Sequence, residues 1–260
     1  MIVDAHFHLG PCKVFGLDFS EEEVIKTMDQ YQIDTAIVQP FPGAPNPQEI
    51  HDRIANMAKQ YPGRIFGIAS VNPHIAKEDY VKEITRCVKE LGFVGVKLHT
   101  IGHAVLPIGE DGGLIFETAS KLQVPIMIHT GPGIPFSLPS LCIPRAREYP
   151  EVRIVLAHSG AGMLTVEAFV AAKECQNVFL ETSWCSSDDI KWLVNELGAD
   201  RVMLGSDTLS NIPVELVKYK SIGLSEEQLD KCLGETAKVY LIFSKTKKRR
   251  KSGANNGKHI

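Results

Sequence analysis

The side chains best suited to chemistry in this sequence are histidines. The 260-residue chain has nine, and five stand in or at the end of short apolar runs: His6, His8, His99, His129 and His158. Asp207 closes the last such run. His6 and His8 are two residues apart, so on a strand they point the same way. Facing inward, they can share one metal ion, since imidazole nitrogen suits zinc and a few His with a carboxylate and an open water position make a common catalytic set. An HxH pair alone is a frequent coincidence. The pair on the first run, with further His at the ends of the fifth and sixth and an Asp at the end of the eighth, is far more specific. The competing reading, satisfied core histidines, must bury many polar groups at once, which is costly. Lys97 and His99 are also two apart and share a face. An ammonium there suits a carboxylate-bearing substrate, or joins a structural ion pair.

The runs that carry these residues span 2–8, 35–40, 64–71, 93–99, 125–130, 153–159, 177–183 and 201–207. They are rich in Val, Ile and Leu and read as buried strands. Helical patterns alternate with them. Ser20 with Glu23 forms a capping box. Asn46-Pro47 opens a helix that stops at Pro62-Gly63. Tyr80, Val81, Ile84, Val88 and Leu91 make one apolar face that ends at Gly92. Further helices are expected over 113–123, 139–149, 162–175, 187–197 and 225–243. Repeated strand–helix units of this kind predict an α/β fold, a single-domain (β/α)8 TIM barrel over residues 1–243, with a doubly wound sheet as the rival. The C-terminal strand ends of a barrel form its active-site face, so the His and Asp residues converge on one mouth. Gly- and Pro-rich loops at 40–47, 100–113 and 131–145 would shape the pocket, the third as a lid. Trp184 follows the seventh run and either walls the substrate or packs in the core. Arg145 either binds an anion or lies solvated at a helix start.

Composition narrows the class. Hydrophobic residues make up 44% and charged residues 23%, a globular balance that excludes a disordered or collagen-like chain. Six dispersed Cys without a CxxC pair exclude a disulfide-stapled miniprotein and a Cys-based zinc site, and point to reduced thiols in a cytoplasmic protein. Neither a membrane span nor a signal peptide is expected. The net charge is −3, but residues 245–260 hold seven basic side chains and no acid. Removing those seven from 28 leaves 21 basic against 31 acidic residues, or −10. A body of that charge argues against nucleic acid binding by the barrel. The tail, 244–260, reads as solvated and disordered.

The segments DAHFH, GVKLH, PIMIHTGPG, AREYPEVRIVLAHSGAG and VMLGSD resemble the amidohydrolase superfamily. They are closest to the branch that includes aminocarboxymuconate-semialdehyde decarboxylase, γ-resorcylate decarboxylase and lactone hydrolases. The resemblance implies His6, His8, His129 and Asp207 as metal ligands, with His158 and Asp207 catalytic in proton transfer. Lys97, His99 and Trp184 are the expected substrate-binding residues. One divalent ion is implied, zinc first and manganese second. The alternative is a second ion bridged by carboxylated Lys97, as in other branches. The expected function is metal-dependent hydrolysis of a small carboxylated or cyclic substrate by hydroxide delivered from the metal. The alternative is non-oxidative decarboxylation of an aromatic or unsaturated acid in the same site, and a non-catalytic barrel comes third. A homodimer is expected by resemblance. The chain departs from the pattern at Thr236, where Asn is usual. A TatD-type nuclease is disfavoured because Lys97 and GSD replace that family's Glu and ETD-like motif.

Overall fold

The computed structural model describes residues 1–241, and the basic tail expected over 244–260 lies outside the described residues. Strand β1 (Val3–Cys12) turns back on a short antiparallel β2 (Leu17–Phe19), a hairpin the sequence reading did not anticipate. Seven further strands follow: β3 (Thr35–Pro40), β4 (Ile65–Ala69), β5 (Gly95–Leu98), β6 (Ile126–His129), β7 (Ile154–Ala157), β8 (Val178–Glu181) and β9 (Val202–Met203). From β1 through β3 to β9 each strand pairs in parallel with the next. Two backbone bonds join the last strand to the first: the Ala5 N–H donates to the Leu204 carbonyl (3.0 Å) and the Asp207 N–H to the His6 carbonyl (2.8 Å). Eight parallel strands thus form the predicted barrel, with helices between them.

The helices are α1 (Glu21–Gln30), α2 (Pro47–Gln60), α3 (Lys77–Lys89), α4 (Glu110–Leu122), α5 (Ile143–Glu148), α6 (Thr165–Glu174), α7 (Ser187–Leu197), α8 (Ile212–Ser221) and α9 (Glu226–Asp230). Both halves of the Ser20–Glu23 capping box are present on α1, and Asn46 accepts from the Glu49 N–H on α2. Each cap satisfies a backbone donor that has no partner within the helix. Among the described residues no helix is long and apolar enough to cross a membrane.

Strand alternation sorts side chains into two cores. Phe7, Leu9, Val38, Val96, Leu98, Ile126 and Ile128 face the helices. Val3, Ala5, Ile37, Ile68, Met127, Val155, Ala157 and Met203 fill the barrel interior. Burying each large aliphatic side chain stabilises the fold by roughly 1.5–3 kcal/mol before entropy is counted.

Three expectations need correction. The helix expected over 225–243 is broken into α9, a π-turn at Lys231–Glu235 and a 3-10 turn at Thr236–Lys238. The wide turn has tertiary causes: the Cys232 carbonyl accepts from the Leu204 N–H (2.9 Å) beside β9, and Gly234 packs on the Met1 backbone. Thr236, at the variant position, donates to the Ala199 carbonyl (2.9 Å). Helix α8 was not foreseen. It lacks a side-chain cap, and Ile212, Leu216 and Tyr219 bury one face of it. The stretch 139–149 splits into a 3-10 turn at Pro139–Cys142 and α5.

Between α2 and α3 lies a buried network. His51 Nδ1 meets Glu83 Oε1 (2.8 Å), and His51 Nε2 accepts from the Ser70 N–H (3.0 Å). Arg86 forks onto Glu83, two bonds of 2.8 Å. Burial alone would raise the Glu83 carboxyl, but the bonds from His51 and Arg86 outweigh it and bring it to about 2. A depressed carboxylate contributes stability that is complete above its unfolded value and lost as pH falls through its folded value. Denaturant titrations should therefore show stability falling below about pH 4.5, with a shallower slope in Glu83→Gln. Independently, a Cβ at Gly234 would stand 2.3 Å from the Met1 carbonyl oxygen. Gly234→Ala should cost roughly 1–3 kcal/mol in urea unfolding, because backbone rather than a flexible side chain must yield.

Candidate metal centre

The centre starts with an irregularity in β1. Its register against β3 shifts between Asp4 and Phe7, and bulges of this kind re-aim side chains. Phe7 and Leu9 remain in the outer core, while His6 and His8 meet inside. His6 Nε2 lies 3.4 Å from Asp207 Oδ1, and His8 Nε2 lies 3.2 Å from the same oxygen. The three ligand atoms fall within 4.8 Å of one another. Each imidazole is held from behind. His6 Nδ1 meets Glu181 Oε2 at 2.8 Å, and His8 Nδ1 meets the Pro40 carbonyl at 3.2 Å. A bonded Nδ1–H leaves the Nε2 lone pair for a cation, which is how metal-binding histidines are commonly oriented. By this donor chemistry His6, His8 and Asp207 fit a divalent ion.

His129 stands one ring away. It stacks on His99 (centroids 4.5 Å, 14°) and meets His158 edge-on (4.8 Å, 72°), but it is not in that tight group of ligand atoms. His99 Nδ1 accepts from the Gly102 N–H (2.9 Å), which ties the 100–109 loop to the end of β5. His158 Nδ1 pairs with Ser183 Oγ (2.7 Å), and its ring lies 4.9 Å from that of His6. Lys97 is buried, with Nζ 3.2 Å from His6 Nε2. Burial brings its amine down to about 8 and the His158 imidazole down to about 4. Burial would raise Asp207, but His158 and His6, with the bond to His8, hold it well below the usual carboxylate range.

Trp184 is half-exposed at the rim, and its Nε1–H donates to Asp207 Oδ2 (2.9 Å). It therefore stands at the rim and not in the core. His158, Trp184 and Asp207 all adopt positive φ, +67°, +67° and +66°. Such backbone is costly for residues with side chains and clusters at functional sites. Arg145 is partly buried, and its donors are engaged. It bonds Glu148 and the carbonyls of Pro107, Ile108 and Gly109, clamping the second loop to α5.

Two carboxylates at the centre escaped the sequence reading. Glu181 is fully buried. Besides His6 it accepts from the His158 N–H (3.2 Å), the Ser183 N–H (2.5 Å) and the Ser183 hydroxyl (3.0 Å). Burial pushes its pKa up, against the pull of these donors. Asp4 Oδ1 accepts from the His6 N–H (3.1 Å) and the Ser206 N–H (3.0 Å), stitching β1 to the end of β9; burial raises it to about 7. The visible signal for Glu181 was an acid two residues before the end of a buried run.

A family model for amidohydrolases matches residues 3–240. The chain belongs to the amidohydrolase family. Solved structures share this amidohydrolase's fold. A dihydroxybenzoic acid decarboxylase from Polaromonas sp., with bound manganese and 2-nitroresorcinol, is 19% identical at a TM-score of 0.71, covering 93% of this chain and 97% of that one. A 4-oxalomesaconate hydratase from Rhodopseudomonas palustris is 18% identical at 0.70, covering 97% and 100%. A probable 2-pyrone-4,6-dicarboxylic acid hydrolase from Acinetobacter baumannii, with citric acid bound, is 18% identical at 0.67, covering 92% and 98%.

Glu181→Gln keeps the volume and removes the charge that orients His6. Chelator competition should show divalent-ion affinity weaker by about 10- to 100-fold, the usual effect of losing such a partner. Gly205→Ala should act in the same direction, because its Cβ would stand 2.5 Å from Glu181 Oε1.

Proposed function

We propose that this amidohydrolase is a metal-dependent hydrolase of small carboxylated or cyclic substrates. In this reading one divalent ion is held by His6, His8, His129 and Asp207. The observation that carries the proposal is the meeting of His6 Nε2, His8 Nε2 and Asp207 Oδ1, with both Nδ1 atoms held from behind. A divalent ion bound there would supply Lewis acidity toward water and a substrate carbonyl. Asp207, its Oδ2 pinned by Trp184, accepts the proton of the attacking water. His158, fixed by Ser183, orients that water or bonds the substrate oxygen. Lys97 and His99 receive the substrate's carboxylate, and Trp184 walls it. Zinc and manganese both suit the donors. All six cysteines are free and buried, which supports a cytoplasmic setting.

Decarboxylation in the same site is the second reading, favoured by the similarity to the manganese-bound decarboxylase. There Asp207 or His158 would pass a proton, taken up from solvent, to the carbon that loses CO2. A bridging, carboxylated Lys97 is the variant reading for the ion count, supported by an amine that burial brings down to about 8.

Elemental analysis of protein purified without added metal should find about one divalent ion per chain, absent from the His6→Ala, His8→Ala double variant. Two ions, with loss of both in Lys97→Ala, would establish the bridge instead. Turnover in 18O-labelled water separates the reactions: label in the organic product means hydrolysis, and CO2 release with an unlabelled organic product means decarboxylation.

A further inference from the structure

The barrel interior beside the metal centre is polar on one side. Ile37 and Ile68 belong to the inner core, Val38 and Ala69 to the outer one. Gln39 and Ser70 therefore fall on the inward face by alternation. Gln39 sits opposite His8 in the β1–β3 register. Ala69, at the end of β4, pairs with Val96, Ser70 and Lys97 are the residues that follow them, and Lys97 in turn pairs with Met127. The Gln39 amide nitrogen reaches both His8 Nε2 (3.4 Å) and Met127 Sδ (3.9 Å). The amide thus bridges from a proposed metal ligand to the row that holds Lys97.

Gln39, Ser70 and Lys97 are 1%, 2% and 1% exposed. Among the described residues Gln39 Oε1 and Ser70 Oγ have no hydrogen-bond partner. Buried polar atoms are nearly always paired, and leaving one unpaired costs free energy. The amide nitrogen is the end that faces His8 and Met127, which leaves Oε1 to accept from something else.

We infer that Lys97, Ser70 and Gln39 form a substrate-anchoring subsite for a carboxylate that takes no part in the reaction and for a hydroxyl close to it. Lys97 Nζ and Ser70 Oγ donate to the carboxylate, and Gln39 Oε1 accepts from the hydroxyl. This rests on the proposed reading of the site as that of an enzyme for small carboxylated substrates, and it narrows the class to hydroxy acids. A site built to bond a hydroxyl discriminates against the analogue lacking it, because its own polar atom is then left unpaired.

The test is ligand-observed NMR titration of the purified, metal-analysed protein with propanoate, lactate, 3-hydroxypropanoate and propane-1,2-diol. At least one hydroxy acid should bind about tenfold tighter than propanoate, and the diol most weakly. Ser70→Ala should weaken every carboxylate by about tenfold. Gln39→Met should bring the hydroxy acid down to the level of propanoate and leave propanoate unchanged. If Gln39→Met loses metal or melts early, Gln39→Asn, which withdraws the amide by one methylene, gives the same comparison. Dissociation constants unchanged in the variants would overturn the subsite, as would the absence of carboxylate binding to the wild type. Selectivity retained in protein that binds no divalent ion would uphold the subsite while sinking the metal-dependent reading. Metal bound with flat selectivity would do the reverse.

Discussion

A buried carboxylate at the end of β8 organises the centre. Glu181 has no exposure to water, so its charge depends on donors within the protein. It draws them from three places: the His6 ring, the His158 backbone and Ser183. Those bonds set which nitrogen of His6 faces inward and where the chain turns after β7. The demand extends to the next strand, where Gly205 leaves room that any Cβ would take from Glu181. Removing such a buried partner strands the groups that met it, so the effects reach beyond one hydrogen bond.

Strand alternation divides labour around that carboxylate. Outward positions hold the barrel to its helices with aliphatic side chains. Inward positions begin as an aliphatic plug, Val3, Ile37, Ile68 and Val155. Nearer the strand ends they turn polar, with Gln39, Lys97, His99 and His129. Rigid strands therefore aim the chemistry, while the 100–109 loop, clamped by Arg145, is tied to it through His99. The strain at His158, Trp184 and Asp207 sits at the junction of the two, where the chain must leave a strand and still point a side chain inward.

The same logic explains what could be read in advance. His6, His8, His158 and Asp207 were legible because the period of a strand and the common mouth of a barrel leave few places for their side chains. The eight strands were legible because each is largely buried on both faces and so is mostly apolar. Glu181 and Asp4 were not, since an acid near a strand end looks the same whether it meets solvent or a histidine ring. Helix α8 was hidden by a missing cap. The π-turn at Lys231–Glu235 has no local signature, because its causes, the Met1 backbone and the Leu204 amide, lie far away in sequence. Arg145 shows the converse: its type suggested an anion, and three loop carbonyls had claimed it.

The bond from the Asp207 amide to the His6 carbonyl is one of the two backbone contacts by which the barrel closes on itself. Side chains of the same two residues converge on the candidate ion site. The seam and the site are therefore one place. An ion that binds only the closed form adds RT ln(1 + [L]/Kd) to its stability, about 2.7 kcal/mol at a hundredfold excess over Kd. Such an ion would act as a clasp on the barrel, and the concentration of divalent cations around the protein would set what fraction of molecules stays shut.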